Sequence, residues 1–372
     1  MFSSLPATVG TRVEDIDTPA LLLDLDAYEH NLDYMAKFVK DHGVRLRVHA
    51  KCHKSADIAQ DQIKRGAVGV CCQKVSEAEA LFQGGVRDLM VSNEVVNPHM
   101  IERMAAMAKD ARVLVCVDDI DNIDALEAAA ARYDSTLEVL VEVDCGANRC
   151  GVAPGAAVVP LALKIAGSSH LKFAGIQAYQ GSAQHKRDYA ERKELIAKAA
   201  QMIKDTIAEL SKANLHCDII AGAGTGTYMF EGTSGVWNEL ECGSYVFMDA
   251  DYQRDKDPNG AFISEFKNSL FILTTVMSKT KTTRAVCDAG LKAQSVDSGL
   301  PVVFGREDIE YVGASDEHGI ISDPHNRCRL GEKIKLIPGH CDPTVNVYDW
   351  MVGVRNGIVE RVFPVTARGM SL

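Results

Sequence analysis

Three groups of side chains in this chain have types and spacing that could do chemistry. The first is Lys51 in HAKCHKS, with His49, His53 and Lys54 beside it and Arg47 upstream. A lysine facing the mouth of a fold can lose its proton through desolvation and nearby positive charge, and so become a nucleophile; in a solvated basic turn it stays an ordinary ammonium. The second is GAGTGT at 222–227. Gly224 and Gly226 tolerate unusual dihedrals, so backbone N–H groups can converge on a phosphate, with Thr225 and Thr227 as further donors; a plain structural turn has the same composition. A lysine together with a phosphate cradle suggests pyridoxal phosphate. The third is His340 and Asp342 in PGHCDPT. If this piece is extended, residues i and i+2 share a face, so imidazole and carboxylate would address one divalent ion while Cys341 points away. Pro-Gly and Asp-Pro equally suit a surface turn. Asp316, Glu317 and His318 in SDEHG either serve the same site or simply end a strand.

Stepping along the chain shows what could position these groups. Short β-branched runs at 45–50, 68–72, 88–93, 112–117, 137–143, 172–179, 217–222 and 239–246 alternate with amphipathic stretches, and Ser76 with Glu79 has the spacing of a capping box. Eight such units predict an α/β fold, a (β/α)8 TIM barrel, with the eighth unit weakest because few helix signals follow it. Active sites of such barrels sit at the C-terminal strand ends. That places Lys51, Gln73, Arg149, Tyr179, His185, the 224–227 turn, Gly243 and Ser244 around one mouth, and the loops after strands 7 and 8 commonly bind phosphate. After about residue 255 the pattern turns strand-rich, and RNG between two apolar runs signals a hairpin. The expected division is a barrel at 17–255 and a mostly β domain at 256–372, which residues 1–16 are free to join; ALLLDL at 20–25 could pair with either.

The bulk properties narrow the function classes. A chain of 372 residues with 47% hydrophobic residues can bury a large core. A formal net charge of -11 without a basic cluster argues against a nucleic-acid partner. The N-terminus lacks a signal-peptide apolar core, and no apolar run long enough for a membrane span occurs. The 11 cysteines include no CxxC pair, and adjacent Cys71 and Cys72 read as buried small hydrophobes, so a reducing cytoplasm is expected.

The segments HAKCHKS, GVCCQKVSEAEA, SNEVV, EVDCGANRCGV, AYQGSAQH, GAGTGT, ECGSYVFMDADY, DAGLKAQSVDSGLP, SDEHG and PGHCDPTVNVYDW together resemble the D-threonine aldolases and 3-hydroxy-D-aspartate aldolases, over about residues 17–370. The resemblance implies a metal-activated, fold-type III pyridoxal-phosphate enzyme with an alanine-racemase-like barrel, splitting D-3-hydroxy amino acids into glycine and an aldehyde. It implies that Lys51 carries the cofactor, and that Gln73, Thr225, Gly243, Ser244 and Tyr252 contact it, joined by Gly224 and Gly226 of the turn. It puts Arg149 and Tyr179 beside the pyridoxal ring, His185 near the substrate as the first base to consider (a metal-bound water being the second), and a divalent ion, Mn2+ ahead of Mg2+, Co2+ or Zn2+, on His340 and Asp342. Relatives suggest a homodimer. The family's triple-glycine turn reads Gly222-Ala223-Gly224 here, which requires that position 223 not need a glycine-only dihedral. In this resemblance aldolases carry His and Asp as metal ligands and D-serine dehydratases His and Cys, so Asp342 favours the aldolase over a dehydratase on the same scaffold. A non-catalytic pyridoxal-phosphate protein is a further reading, which the metal pair disfavours, and a cofactor-free lysine aldolase another. Arg254 either meets a second substrate carboxylate or is solvated.

Overall fold

The structure, a computed structural model, describes residues 5–372. A first strand, β1 (Ala20–Asp24), runs into an 18-residue helix, Leu25–His42. The Asp24 carboxylate accepts the Ala27 N–H at 3.0 Å as the helix cap, and Gly43 ends the helix in the left-handed region at φ 66°. Eight parallel strands then close a barrel: β2 (Arg45–His49), β3 (Gly69–Cys72), β4 (Asp88–Glu94), β5 (Arg112–Val117), β6 (Leu137–Glu142), β7 (Leu171–Gln177), β8 (Ile219–Gly222) and β9 (Glu239–Leu240).

The two-residue period of a strand explains the barrel's runs. In β5, Val113, Val115 and Val117 pack outward in the main core, whereas Leu114 and Cys116 join Cys71, Met90, Leu140, Ala174, Ile219 and Ala221 in the lumen. The same period sends Cys71 inward and its neighbour Cys72 outward. Both faces are buried, so parallel strands read as unbroken apolar runs. The eighth unit is short: among the described residues only the 3₁₀ turns Ser244–Val246 and Tyr252–Arg254 follow β9 before the second sheet, and the Leu25–His42 helix closes that side, with Asn31 Nδ2 donating to Val246 O at 3.3 Å. The expected capping box at Ser76 and Glu79 is not the one formed. The helix starts at Val75, the Glu77 carboxylate accepts the Gln73 and Lys74 N–H groups at 2.9 and 3.1 Å, and Glu79 reaches Arg103 instead.

The remaining strands are β10 (Leu270–Lys281), β11 (Arg284–Cys287), β12 (Val302–Val303), β13 (Glu310–Ala314), β14 (Gly319–Ser322), β15 (Lys333–Ile337), β16 (Trp350–Arg355) and β17 (Ile358–Pro364). They form a nine-stranded sheet in the order β13-β14-β11-β10-β1-β16-β17, with β15 on β10 and β12. The RNG signal is the β16–β17 turn, where Asn356 and Gly357 take positive φ of 50° and 79°. β1 lies within the expected barrel span of 17–255 but joins this sheet rather than the barrel: Leu21, Leu22 and Leu23 pair antiparallel with β10 and parallel with β16. With both faces of β1 covered, its apolar run reads the same in either sheet, which is why sequence left it open. Residues 1–4 lie outside the described residues; the piece after them follows the sheet, with Gly10 N–H donating to Val359 O at 2.8 Å. The 11 cysteines are free, and among the described residues no helix is long and apolar enough to cross a membrane.

Candidate active site

A cavity of about 140 Å³ opens at the C-terminal ends of the barrel strands. Lys51, Gln73, Arg149, Tyr179, His185, Gly224, Thr225, Gly243, Ser244, Tyr252, His340 and Asp342 all line it. Gly226 is the sequence-expected residue it does not include: its N–H is taken by Gln184 Oε1 at 3.1 Å, so it shapes the turn from behind. Asp316, Glu317 and His318 are exposed in the turn between β13 and β14, away from the cavity, and Glu317 pairs with Lys292 at 2.6 Å.

Lys51 stands on a single 3₁₀ turn immediately after β2. Its Nζ lies 3.8 Å from Asp342 Oδ2. The expected loss of a proton is not what this arrangement favours. Burial pushes the Lys51 pKa down, but Asp342 and neighbouring Tyr179 outweigh it, and the net shift is upward. Beside it His49, noted in the sequence only as a neighbour, is buried and held neutral by desolvation and the Lys51 charge; Gln73 Nε2 donates to its Nε2 at 3.0 Å. The Arg149 guanidinium sits 5.5 Å over the Tyr179 ring and 3.4 Å from Glu142.

The two loops after β8 and β9 supply the cradle. Among the described residues the backbone N–H groups of Gly224, Thr225, Gly243 and Ser244 have no acceptor. A Cβ on Gly224 would come within 2.4 Å of Gln184 Oε1, and one on Gly243 within 3.0 Å of His49 O, so a side chain at either position would push on its neighbours. Ala223 corrects the sequence expectation: its φ is 72°, the left-handed region that glycine tolerates best. A non-glycine residue there costs on the order of 1–3 kcal/mol and persists only where the surroundings enforce it, as at a ligand clamp. Unpaired donors at two strand ends, two hydroxyls and the accessible Lys51 amine across the mouth fit a phosphorylated pyridoxal.

His185 follows β7 and is oriented by a carboxylate that sequence reasoning missed. Its Nδ1 lies 2.7 Å from Asp251 Oδ2, and its ring stacks on Tyr252 at 5.8 Å between centroids. Asp251 is itself gripped by Arg187; although burial would raise its pKa, the His185 and Arg187 bonds hold it below the usual carboxylate range. His340 and Asp342 meet the cavity by a route other than the expected extended strand. His340 is the extended N-cap of a short helix, Cys341–Val345, and Asp342 lies in its first turn. Asp249 ties that helix to the barrel, with its Oδ2 accepting the Cys341 N–H at 3.0 Å. Cys341 itself is buried behind the cavity wall. Among the described residues no cluster of three or more His, Cys, Asp or Glu side chains is arranged to hold a metal, so any ion here would have two protein donors and open positions for water or substrate.

Sequence reasoning also missed Ser92, Gln177 and Glu241, which line the deeper wall. Gln177 Nε2 donates to Glu241 Oε2 at 2.6 Å, while Glu241 Oε1 has no partner, and burial raises the Glu241 pKa to about 7. Each lies inside a strand run, where a polar residue at an inward position was the available signal. Arg254 neither meets the cavity nor stands free: its Nε donates to Ala250 O and its Nη2 to Ser298 O, both at 3.0 Å.

Comparisons with known proteins agree with this architecture. Residues 23–251 match the family Alanine racemase, N-terminal domain, and residues 269–354 a serine dehydratase domain. The chain is 52% identical over 369 residues to 3-hydroxy-D-aspartate aldolase of Paracoccus denitrificans (strain Pd 1222), covering 98% of this chain and 95% of that one. It is 42% identical over 368 residues to D-threonine aldolase of Arthrobacter sp., covering 98% and 96%. The crystal structure of D-threonine aldolase from Filomicrobium marinum superimposes with a TM-score of 0.96 at 48% identity, covering 99% of this chain and 100% of that one. Full-length likeness of this degree, on a barrel whose mouth gathers the lysine, the cradle and the His–Asp pair, means that the chain belongs to the family of 3-hydroxy-D-aspartate and D-threonine aldolases.

Proposed function

We propose that this protein is a carbon–carbon lyase that cleaves D-3-hydroxy amino acids, of the D-threonine, D-allo-threonine, D-phenylserine or 3-hydroxy-D-aspartate type, into glycine and an aldehyde. The observation that carries this reading is the convergence of Lys51 and Asp342, 3.8 Å apart, from two different sheets onto one cavity that also holds the free N–H cradle. When bound, pyridoxal phosphate supplies an electron sink for the bond being broken, and a divalent ion, Mn2+ being the expected one, lowers the pKa of the substrate hydroxyl.

The chain's own residues do the rest. Lys51 Nζ is the covalent anchor of the cofactor, and Gly224, Thr225, Gly243 and Ser244 hold its phosphate with N–H and hydroxyl donors. That anchor fixes the orientation of the scissile Cα–Cβ bond, a positioning task. His340 and Asp342 hold the metal. His185, with Nδ1 committed to Asp251, presents Nε2 to the β-hydroxyl and takes its proton as the Cα–Cβ bond breaks; the electron pair stays on the glycine fragment, which gains a proton at Cα. Dehydration of the same substrates would be favoured by a thiolate in the ligand pair, and Cys341 does not line the cavity: its buried Sγ lies behind Asp342, 3.5 Å from Oδ1. Phe262, Leu300 and Val302 leave apolar side chains exposed around a shallow depression, which suits the expected homodimer; the mass in solution checks it. The 11 free thiols suit a reducing cytoplasm.

The test is product identification with a panel of D- and L-3-hydroxy amino acids, with and without Mn2+. The expected outcome is glycine and aldehyde from the D series only, lost on chelation while the visible cofactor absorption stays. Ammonia with a keto acid overturns the lyase reading, and full turnover in excess chelator removes the metal from it.

A further inference from the structure

His340 makes a contact that its reading as a metal ligand does not require. Its Nδ1 lies 2.8 Å from Asp297 Oδ2, while among the described residues its Nε2 has no partner. Asp297 belongs to the loop between the 3₁₀ turn Leu291–Ala293 and β12, and the loop is built to hold it still. Ser295 Oγ donates to its Oδ1 at 2.7 Å and Ser298 Oγ to its Oδ2 at 3.1 Å. Arg254 Nη2 takes the Ser298 carbonyl at 3.0 Å, and Ser295 N–H donates to Thr344 Oγ1 at 3.1 Å, on the helix that carries Asp342. The two loops are packed backbone to backbone: a Cβ on Gly339, next to His340, would come within 2.1 Å of Gly299 O.

We propose that Asp297 is a positioning residue for the metal ion, accepting the Nδ1 proton of His340 so that Nε2 faces the cavity as an unprotonated donor. This rests on the reading of His340 and Asp342 as the metal ligands. A carboxylate behind a ligating histidine fixes both tautomer and ring orientation and raises the basicity of the donor nitrogen. An ordinary half-exposed ion pair would do neither, and its removal would leave metal affinity unchanged. Asp297 is thus the third residue of the metal site, although it touches no metal.

The experiment titrates Mn2+ alone into the cofactor-loaded enzyme, following binding by calorimetry and by the free-ion resonance signal. Asp297→Ala is expected to raise the Mn2+ Kd by about 10–100-fold, and Asp297→Asn by less, since the amide oxygen still accepts from Nδ1. At saturating Mn2+ both variants return to within a few-fold of wild-type kcat, with thermal midpoint and visible absorption unchanged. Should Asp297→Ala fail to fold, Asp297→Asn carries the same measurement. A Kd within twofold of wild type in the folded variant, while His340→Ala abolishes binding, overturns the proposal and leaves the metal site standing. Wild-type enzyme that binds no Mn2+ overturns both together, and so does unchanged binding in His340→Ala.

Discussion

The two ends of the barrel are built on opposite principles. At the N-terminal end, charges close on one another. Arg47 is fully buried, with Nε 2.6 Å from Glu239 and Nη1 2.5 Å from Asp88; Arg45 shares Glu239, and Arg112 links Asp88 to Glu138. At the C-terminal end, polar groups are left open: four backbone N–H groups, Glu241 Oε1 and Gln177 Oε1 have no protein partner among the described residues, and Ala223 holds a disfavoured φ. One end spends nearly all its polar groups on the fold, Arg47 Nη2 alone of that arginine's nitrogens being left without a partner, and the other leaves them open to a ligand. Strand ends of identical geometry therefore carry different work, as barrels of this type generally arrange it.

Substitutions at the two ends should separate stability from chemistry. The largest effect belongs to Lys51→Ala, which should abolish both turnover and visible cofactor absorption while the thermal midpoint of the cofactor-free protein stays near wild type; an unchanged spectrum would return Lys51 to an ordinary basic turn. Next, His185→Ala should slow cleavage by about 10²–10⁴-fold with the absorption intact, read from kcat with the preferred substrate. Near-wild-type turnover takes His185 out of the proton transfer. At the opposite end, Arg47→Met strips a buried carboxylate of its main partner and should cost about 3–5 kcal/mol. That corresponds to a fall of roughly 4–6 °C in Tm for a chain of 372 residues, with kcat of the folded enzyme unaffected. An unaltered Tm would break the contrast between the ends.

The smallest effect is a pH dependence. Glu241 titrates at about 7 in the folded cofactor-free protein because burial disfavours its charge. Its unfolded value is near 4.3. Between those values the folded state binds the extra proton, so stability is greatest below the lower one and falls as pH rises through the upper. Glu241→Gln removes the titration. The wild type should therefore lose on the order of 2–3 kcal/mol more than the variant between pH 5 and pH 8, measured by denaturant unfolding. Parallel pH profiles for the two proteins would mean that water reaches Glu241 and relieves its burial.

The comparison also shows what a sequence can carry. The barrel was legible because its strands are buried on both faces and separated by helices, and the mouth residues followed from the strand-end rule together with long motifs. The route of His340 and Asp342 was not. An N-cap and a first helical turn give the same i, i+2 spacing as a strand, and only the Asp249 bond across the two units shows which one forms. Asp251 and Asp297 escaped notice because they act through a histidine far away in sequence, and Glu241 because nothing in its run distinguishes it from Glu239, which pairs with Arg47. Ala223 was misjudged because composition gives the choice of residue and not the strain it bears.

The placement of β1 has a consequence for biosynthesis. Leu21–Leu23 leave the ribosome before the barrel, yet their partners on β10 and β16 follow it, with the entire barrel emerging in between. The barrel's helices and strands meet close neighbours and can assemble early. The sheet cannot close until β16 has been made, and His340 and Asp342 cannot reach Lys51 before the barrel is complete and the second sheet is largely synthesised. A product that stopped before β15 would hold the barrel and Lys51 without the His340–Asp342 wall of the cavity.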